Sequence, residues 1–452
     1  MDNLKAELIN LLDQVQAEND KLSNALLDTV RLTDYSPEGK VWTKAFQRAI
    51  DEHQTVIIPK SGEPYLIDDS IIVPSNRKIV AEDGAVIRLK KGTDVLLLRN
   101  SMTADGTHAP ITVGRNENIT IIGGIWEECC DARASYGQTC KYDKDRSFFG
   151  VYTCLLLENI NNLTLKNLTF RNCGGFALQI GDAKNVIIDD IVFENCFADG
   201  VHVNGNTENI RITNVRGYVG DDLVAFNAFD WQSSSINFGP CKNVFCYNLT
   251  LSLDSPYKAI RIQTGIYTFK DGSKVDCSLT NAYFGRVRNI RTFKLYCQTP
   301  RFFPDQKPEP VEVGSGDNIM FEDIVADLKE PIDLFKEYVD SHPIKGSFAV
   351  FELGLNVKNI YFKNIEVTLY RDRFPYSYVM CIGPKAVRNA VGMEVFDPSF
   401  SSVAENVQFQ DLKVCGKKVN DLDGLVREIV FDHIYDDMPS TASGRIKKLS
   451  CI

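Results

Sequence analysis

The 452-residue chain has no apolar run long enough to cross a bilayer, and its cysteines show no CxxC spacing. It also has no excess of positive charge: 50 Lys and Arg stand against 60 Asp and Glu, a net charge of −10. The first absence argues against a membrane partner, the second against structural zinc, and the third against nucleic acid or an anionic surface. The first ten residues, MDNLKAELIN, carry charges where a secretion signal needs an apolar centre. The 13 cysteines are odd in number and scattered, with one adjacent pair, Cys129-Cys130. These features together predict a reduced, cytoplasmic protein, and nothing in them requires a cofactor or a metal.

What the chain does have is a repeat. An Asn followed by a branched apolar residue opens an alternating apolar run at Asn118-Ile119, Asn162-Leu163, Asn185-Val186, Asn209-Ile210, Asn243-Val244, Asn289-Ile290, Asn318-Ile319, Asn359-Ile360 and Asn406-Val407. The step from Asn162 to Asn185 is 23 residues, and from Asn185 to Asn209 it is 24. Periods in the twenties built from short β-prone runs predict a solenoid in which each repeat buries its apolar side on its neighbours. No fixed leucine ladder or helix recurs, so a right-handed parallel β-helix is expected rather than a leucine-rich repeat. Asn suits a tight corner because it tolerates the left-handed backbone region and can stack in a side-chain ladder.

The spacing widens in two places. Asn209 to Asn243 is 34 residues, which puts an inserted loop at about 227–240. Asn243 to Asn289 is 46, read as one coil with a loop at 266–288 or as two coils with an anchor missing. A third interruption, 327–347, has a helical look. Residues 1–40 form a separate segment before a β-helix domain at 41–452. In that segment Leu4, Leu8, Leu11, Val15, Leu22, Leu26 and Val30 fall on one helical face. This stripe predicts a helix that caps the first coil, or a short coiled coil that assembles a dimer or trimer. A second helix is expected over 41–53. The run Trp126, Glu127, Glu128, Asp131, Arg133 reads mainly as solvated corner residues.

The chemistry sits in the middle coils. Asp199 and the pair Asp221-Asp222 are 22 and 23 residues apart, about one coil. Equivalent positions of successive coils stack about 4.8 Å apart, so one of the pair should lie beside Asp199. Carboxylates packed this closely repel, and one is expected to hold a proton near neutral pH. A protonated acid beside an ionised partner is what glycoside hydrolysis requires.

Residues Phe197-Ala198-Asp199-Gly200 and Gly220-Asp221-Asp222 resemble the Asn-Thr-Asp-Gly and Gly-Asp-Asp-Cys motifs of glycoside hydrolase family 28, the polygalacturonases and their relatives. The opening Val56-Ile57-Ile58-Pro59, with Gly62 and Tyr65, resembles the start of pectin-acting β-helix proteins. The resemblance implies that Asp199, Asp221 and Asp222 form the general acid and base set. It departs from the family twice. No His stands where a Gly-His-Gly motif would fall, between Ser233 and Gly239, so a coil is expected to be missing there. The Arg-Ile-Lys motif appears as Arg261-Ile262-Gln263, which points to a neutral sugar rather than polygalacturonate.

Further substrate-binding candidates are His202, Trp231 on the inserted loop (an aromatic face for a sugar), Asp230, Arg261 and Gln263. Asp182, Asp189 and Asp190 read as solvated corners. The leading expectation is an oligosaccharide hydrolase that inverts if acid and base lie about 6.5–9.5 Å apart. Three alternatives are a fructotransferase or retaining glycosidase using Asp222 with Asp230, a polysaccharide lyase whose three Asp hold calcium, and a non-catalytic glycan-binding trimer. The absence of a Lys beside Arg261 counts against the lyase.

Overall fold

The computed structural model describes residues 2–93, 95–103, 114–128, 153–230, 235–269, 271–297, 312–329, 348–375, 377–383, 386–388, 394–396, 402–428 and 444–452. Twenty-eight of the described strands join into one almost wholly parallel sheet that winds on itself as a right-handed parallel β-helix, and Ala386–Arg388 and Glu394–Phe396 form a separate antiparallel pair. Each coil has three short β segments separated by corners. The strand Thr153–Arg171 pairs with Phe176–Cys196 throughout, with Leu155 opposite Leu178, Leu163 opposite Val186 and Leu168 opposite Ile191. The inward side chains of successive coils therefore meet their own kind. Among them, Phe284, Phe293, Phe321, Phe351, Phe362 and Phe409 pack face to face or edge to face with centroids 4.4–6.3 Å apart.

The corners carry the Asn ladder. Each Asn Nδ2 donates to the side-chain oxygen of its counterpart one coil earlier: Asn162 to Asn118, Asn185 to Asn162, Asn209 to Asn185 and Asn243 to Asn209. All five sit at φ of 55–61°, the left-handed region. The next rung is Asn281, not Asn289: Asn281 donates to Asn243, and Asn318 donates to Asn281. Asn289 belongs to a different corner, donating to the Leu251 carbonyl. The stretch 243–281 is therefore one coil, widened by the antiparallel pairing of Gly265–Thr268 with Lys274–Cys277. The expected loop at 266–288 is half strand, since Leu279–Ile290 is a full member of the stack. Residues 330–347 of the third expected loop lie outside the described residues.

The N-terminal helix α1, Asp2–Asn24, differs from its expected place. It does not close the end of the solenoid. It lies along the outside, against the flank that carries the Asn ladder, and touches strands of several successive coils. Leu4, Leu8, Leu12 and Val15 pack on the outward-facing Ile187, Phe245, Tyr283 and Met320. The buried stripe passes through Leu12 rather than Leu11, and Asn19 Nδ2 donates to the Asn185 carbonyl. Lys5–Glu322, Arg211–Asp13 and Lys166–Asp20 ion pairs flank the helix. The reason is complementarity: one flank shows apolar and aromatic side chains to the outside, and the helix supplies the apolar stripe to cover them. The helix that packs against the first strands is α2, Thr43–Glu52, with Phe46, Ala49 and Ile50 buried. Among the described residues no helix is long and apolar enough to cross a membrane.

Trp126, Glu127 and Glu128 are buried rather than solvated corners. Glu127 pairs with Arg88 at 2.8 Å, and Glu128 accepts from the Gly174 N–H. Asp182 is likewise buried, held by Arg115 and Asn206. Asp131 and Arg133 lie outside the described residues.

Candidate active site

The site lies on the β-helix face built by 176–181, Val201–Asn204, Asp222–Asn227, Ala259–Thr268, Thr292–Cys297 and Phe348–Gly354, paired in that order. Val201 opposite Val224 sets the register that brings Asp199 beside Asp222, as the one-coil spacing predicts. The Asp222 N–H donates to Asp199 Oδ1 at 3.1 Å, and the Gly200 N–H donates to the Asp222 carbonyl at 2.9 Å. Both neighbouring glycines are required by close approach. A Cβ on Gly220 would stand 2.1 Å from the Phe197 carbonyl oxygen, and one on Gly200 would strike the Phe193 ring at 2.6 Å. The Asp-Gly and Gly-Asp-Asp sequences therefore let two coils pack tightly where the acids are.

Oxygens of Asp199, Asp221 and Asp222 all lie within 4.8 Å of one another. The cation against two of them is the Arg261 guanidinium: its Nε is 2.6 Å from Asp222 Oδ2, and its Nη2 is 3.0 Å from Asp221 Oδ1. Asp199 and Asp222 are fully buried, while Asp221 stays partly open to solvent. Asp222 touches Arg261 without hydrogen-bond alignment, and neither of its oxygens accepts a hydrogen bond. Burial pushes its carboxyl well above the usual carboxylate range; Arg261 opposes this, and the nearby Asp221 and Asp199 reinforce it. Burial thus favours the protonated form of Asp222.

His202 is buried beside Asp199. Its Nδ1 is 2.7 Å from Asp199 Oδ2, its Nε2 is 2.9 Å from Asp230 Oδ2, and its ring stacks on Phe176 with centroids 3.9 Å apart. The two carboxylates outweigh desolvation and raise its pKa to about 9. Asp230 therefore joins the site from the inserted loop, but through His202. Trp231 lies outside the described residues.

Arg261 sits opposite Ala225 on the strand directly after the Asp222 strand, with no coil between them. The wide step from Asn209 to Asn243 is thus an inserted loop within one coil, not an extra coil. Gln263 is fully buried, and its Nε2 donates to Tyr296 Oη at 2.9 Å. The structure also supplies a group the sequence reading missed. Lys294, on the next coil, is opposite Arg261, buried, with its ammonium against Tyr257 Oη and over the Tyr257 ring. A Lys does lie beside Arg261, brought there from 33 positions along the chain. Its signal in the sequence was a lone Lys inside the alternating apolar run Phe293-Lys294-Leu295-Tyr296.

The molecule is a parallel β-helix with a buried acidic cluster on one face. Over residues 84–248 it matches the sequence model of "Glycosyl hydrolases family 28", so the coils carrying Asp199, His202, Asp221, Asp222 and Asp230 are family 28-like. No curated protein matches the chain. Among solved structures, a family 28 exopolygalacturonase from Yersinia enterocolitica is similar, with 12% identity, a TM-score of 0.49, and coverage of 94% of this chain and 78% of that one. A hyperthermoactive exopolygalacturonase from Thermotoga maritima shows 12% identity and a TM-score of 0.46, covering 88% and 97%. PfbA, a surface adhesin of Streptococcus pneumoniae, shows 15% identity and a TM-score of 0.42, covering 85% and 88%.

Proposed function

We propose that the protein is a glycoside hydrolase acting on an oligosaccharide, with Asp222 as general acid and Asp199 and Asp221 completing the acid and base set. The observation that carries this is Asp222: a fully buried carboxyl without a hydrogen bond, pushed up by burial, stacked one coil from Asp199. In the proposed step Asp222 gives its proton to the glycosidic oxygen as the bond to the anomeric carbon breaks. A water adds to that carbon and passes its proton to the ionised partner. Arg261 steadies the charge that Asp222 acquires when it gives up the proton. We place the reaction in the cytoplasm, on an imported sugar.

Two features bear on the substrate. Gln263 at the third position of the Arg-Ile-Lys motif, tied to Tyr296, supports a neutral sugar. Lys294 beside Arg261 supports a sugar carrying a carboxylate, a second reading with its own observation. The separation of acid and base sets the stereochemical outcome, and the products report it directly. The test is product analysis by NMR over neutral and acidic oligosaccharides, comparing the wild type with Asp222→Asn. Cleavage of one glycan, lowered about 10²–10⁴-fold in the variant, supports the proposal, and the first anomer seen assigns inversion or retention. Equal activity of the two proteins refutes the assignment of Asp222. Cleavage of no glycan refutes the hydrolase reading.

A further inference from the structure

The environment of His202 is more specific than a buried histidine needs. Each ring nitrogen faces one carboxylate oxygen: Nδ1 faces Asp199 at 2.7 Å and Nε2 faces Asp230 at 2.9 Å. A neutral imidazole has one proton and would turn a lone pair toward one of these carboxylates. Only the doubly protonated ring satisfies both. The Asn204 and Asn227 amide nitrogens stand farther off, 3.3 and 3.4 Å from Nε2, so the Asp230 oxygen takes the Nε2 proton. Packed around the ring are Phe176 and Gln179 from the preceding coil and Ala225 and Asn227 from the next, none of which titrates. Among the described residues, the charged groups that face it are Asp199 and Asp230, with Asp221, Asp222 and Arg261 beyond Asp199.

Asp199 is fixed at both oxygens, Oδ2 by His202 and Oδ1 by the Asp222 N–H. Asp230 follows the strand Asp222–Asn227 at the start of the inserted loop. The same ring thus links a carboxylate of the acid cluster to the loop.

We propose that His202 is a positioning residue: as an imidazolium bridging Asp199 and Asp230, it fixes the Asp199 carboxylate against the backbone of Asp222 and ties the inserted loop to the acid cluster. This rests on the hydrolase reading for its kinetic consequence, and on geometry alone for the bridge. His202 makes no contact with substrate in this role; it acts through Asp199. Misplacing one reacting group by about 1 Å costs on the order of 10²-fold in rate, the scale expected here.

The test has two independent arms. The first is ¹⁵N NMR of the full chain at pH 7.5, with the His202 signals assigned by their loss in His202→Asn. Protonation at both nitrogens is expected; a ring carrying one proton overturns the bridge, whether or not any glycan is cleaved. The second arm measures kcat, KM and the pH–rate profile of the wild type, His202→Phe, His202→Asn and Asp230→Asn. His202→Phe is expected to lower kcat about 10²-fold with KM nearly unchanged. His202→Asn keeps a donor toward Asp199 and should recover part of the rate. Asp230→Asn, nearly identical in shape, should fall between that variant and the wild type. A rise in KM with kcat preserved would make His202 a substrate-binding residue and overturn the proposal, as would unchanged kinetics in His202→Phe. If the wild type cleaves no glycan, the hydrolase reading fails, and the NMR arm still decides the bridge.

Discussion

The buried Asp199–His202–Asp230 arrangement makes stability depend on pH in a direction that can be worked out. The His202 pKa is about 9 in the folded protein against an ordinary 6.5, so the folded state holds the proton more tightly than the unfolded chain. The stabilisation is complete below about pH 6.5, declines as pH rises, and is gone above about pH 9. A difference of about 2.5 pKa units at about 1.4 kcal/mol each corresponds to about 3 kcal/mol. The ring is buried, so little of this is lost to solvent screening. The assay is equilibrium urea unfolding of the wild type and His202→Gln at pH 6 to 9.5. Titrations common to both proteins, including those of the buried thiols, cancel in the difference. The range begins above the pH at which carboxylates of the unfolded chain titrate. The wild-type advantage is expected to shrink by about 3 kcal/mol across it. A difference that stays constant or grows with pH would refute the reasoning, because it would mean that His202 is neutral in the folded protein.

Three other outcomes are expected. Phe321→Ala empties a fully buried position in the phenylalanine stack and should cost about 3–5 kcal/mol by urea unfolding, whereas Phe321→Leu should cost clearly less. Leu12→Ala, at the centre of the α1 contact, should cost about 2–5 kcal/mol and speed proteolytic removal of the helix while the coils stay intact; an unchanged cleavage rate would argue against the docked position of α1. Gly220→Ala should lower activity more than stability, since its Cβ pushes the Phe197 carbonyl away and parts the coils bearing Asp199 and Asp222; full activity in this variant would mean that the close approach is not needed.

Much of this protein was legible along the chain because a solenoid repeats one local solution. The Asn corners, the alternating apolar runs and the one-coil step from Asp199 to Asp222 depend on neighbours about 23 residues apart, and periodicity reports such neighbours. The same logic placed an inserted loop between Asn209 and Asn243 rather than an extra coil. It failed where the period was broken. Asn289 imitated a rung because it follows the same Asn-Ile pattern, but the hairpin at 265–277 had displaced the true rung to Asn281.

What only the tertiary structure decided are contacts with no fixed spacing. The sequence determined that α1 is an amphipathic helix; the apolar flank formed by Ile187, Phe245, Tyr283 and Met320 decided where it docks. The sequence marked His202, Asp230 and Arg261 as single candidates. Winding the chain placed His202 between two carboxylates, set Arg261 against Asp221 and Asp222, and added Lys294 beside Arg261. Charge and hydrogen bonding act over a few ångströms in space, and a loop of any length can bring two groups that close. A repeat therefore determines its own coil from local sequence, while the chemistry of its face depends on which coils the insertions bring together.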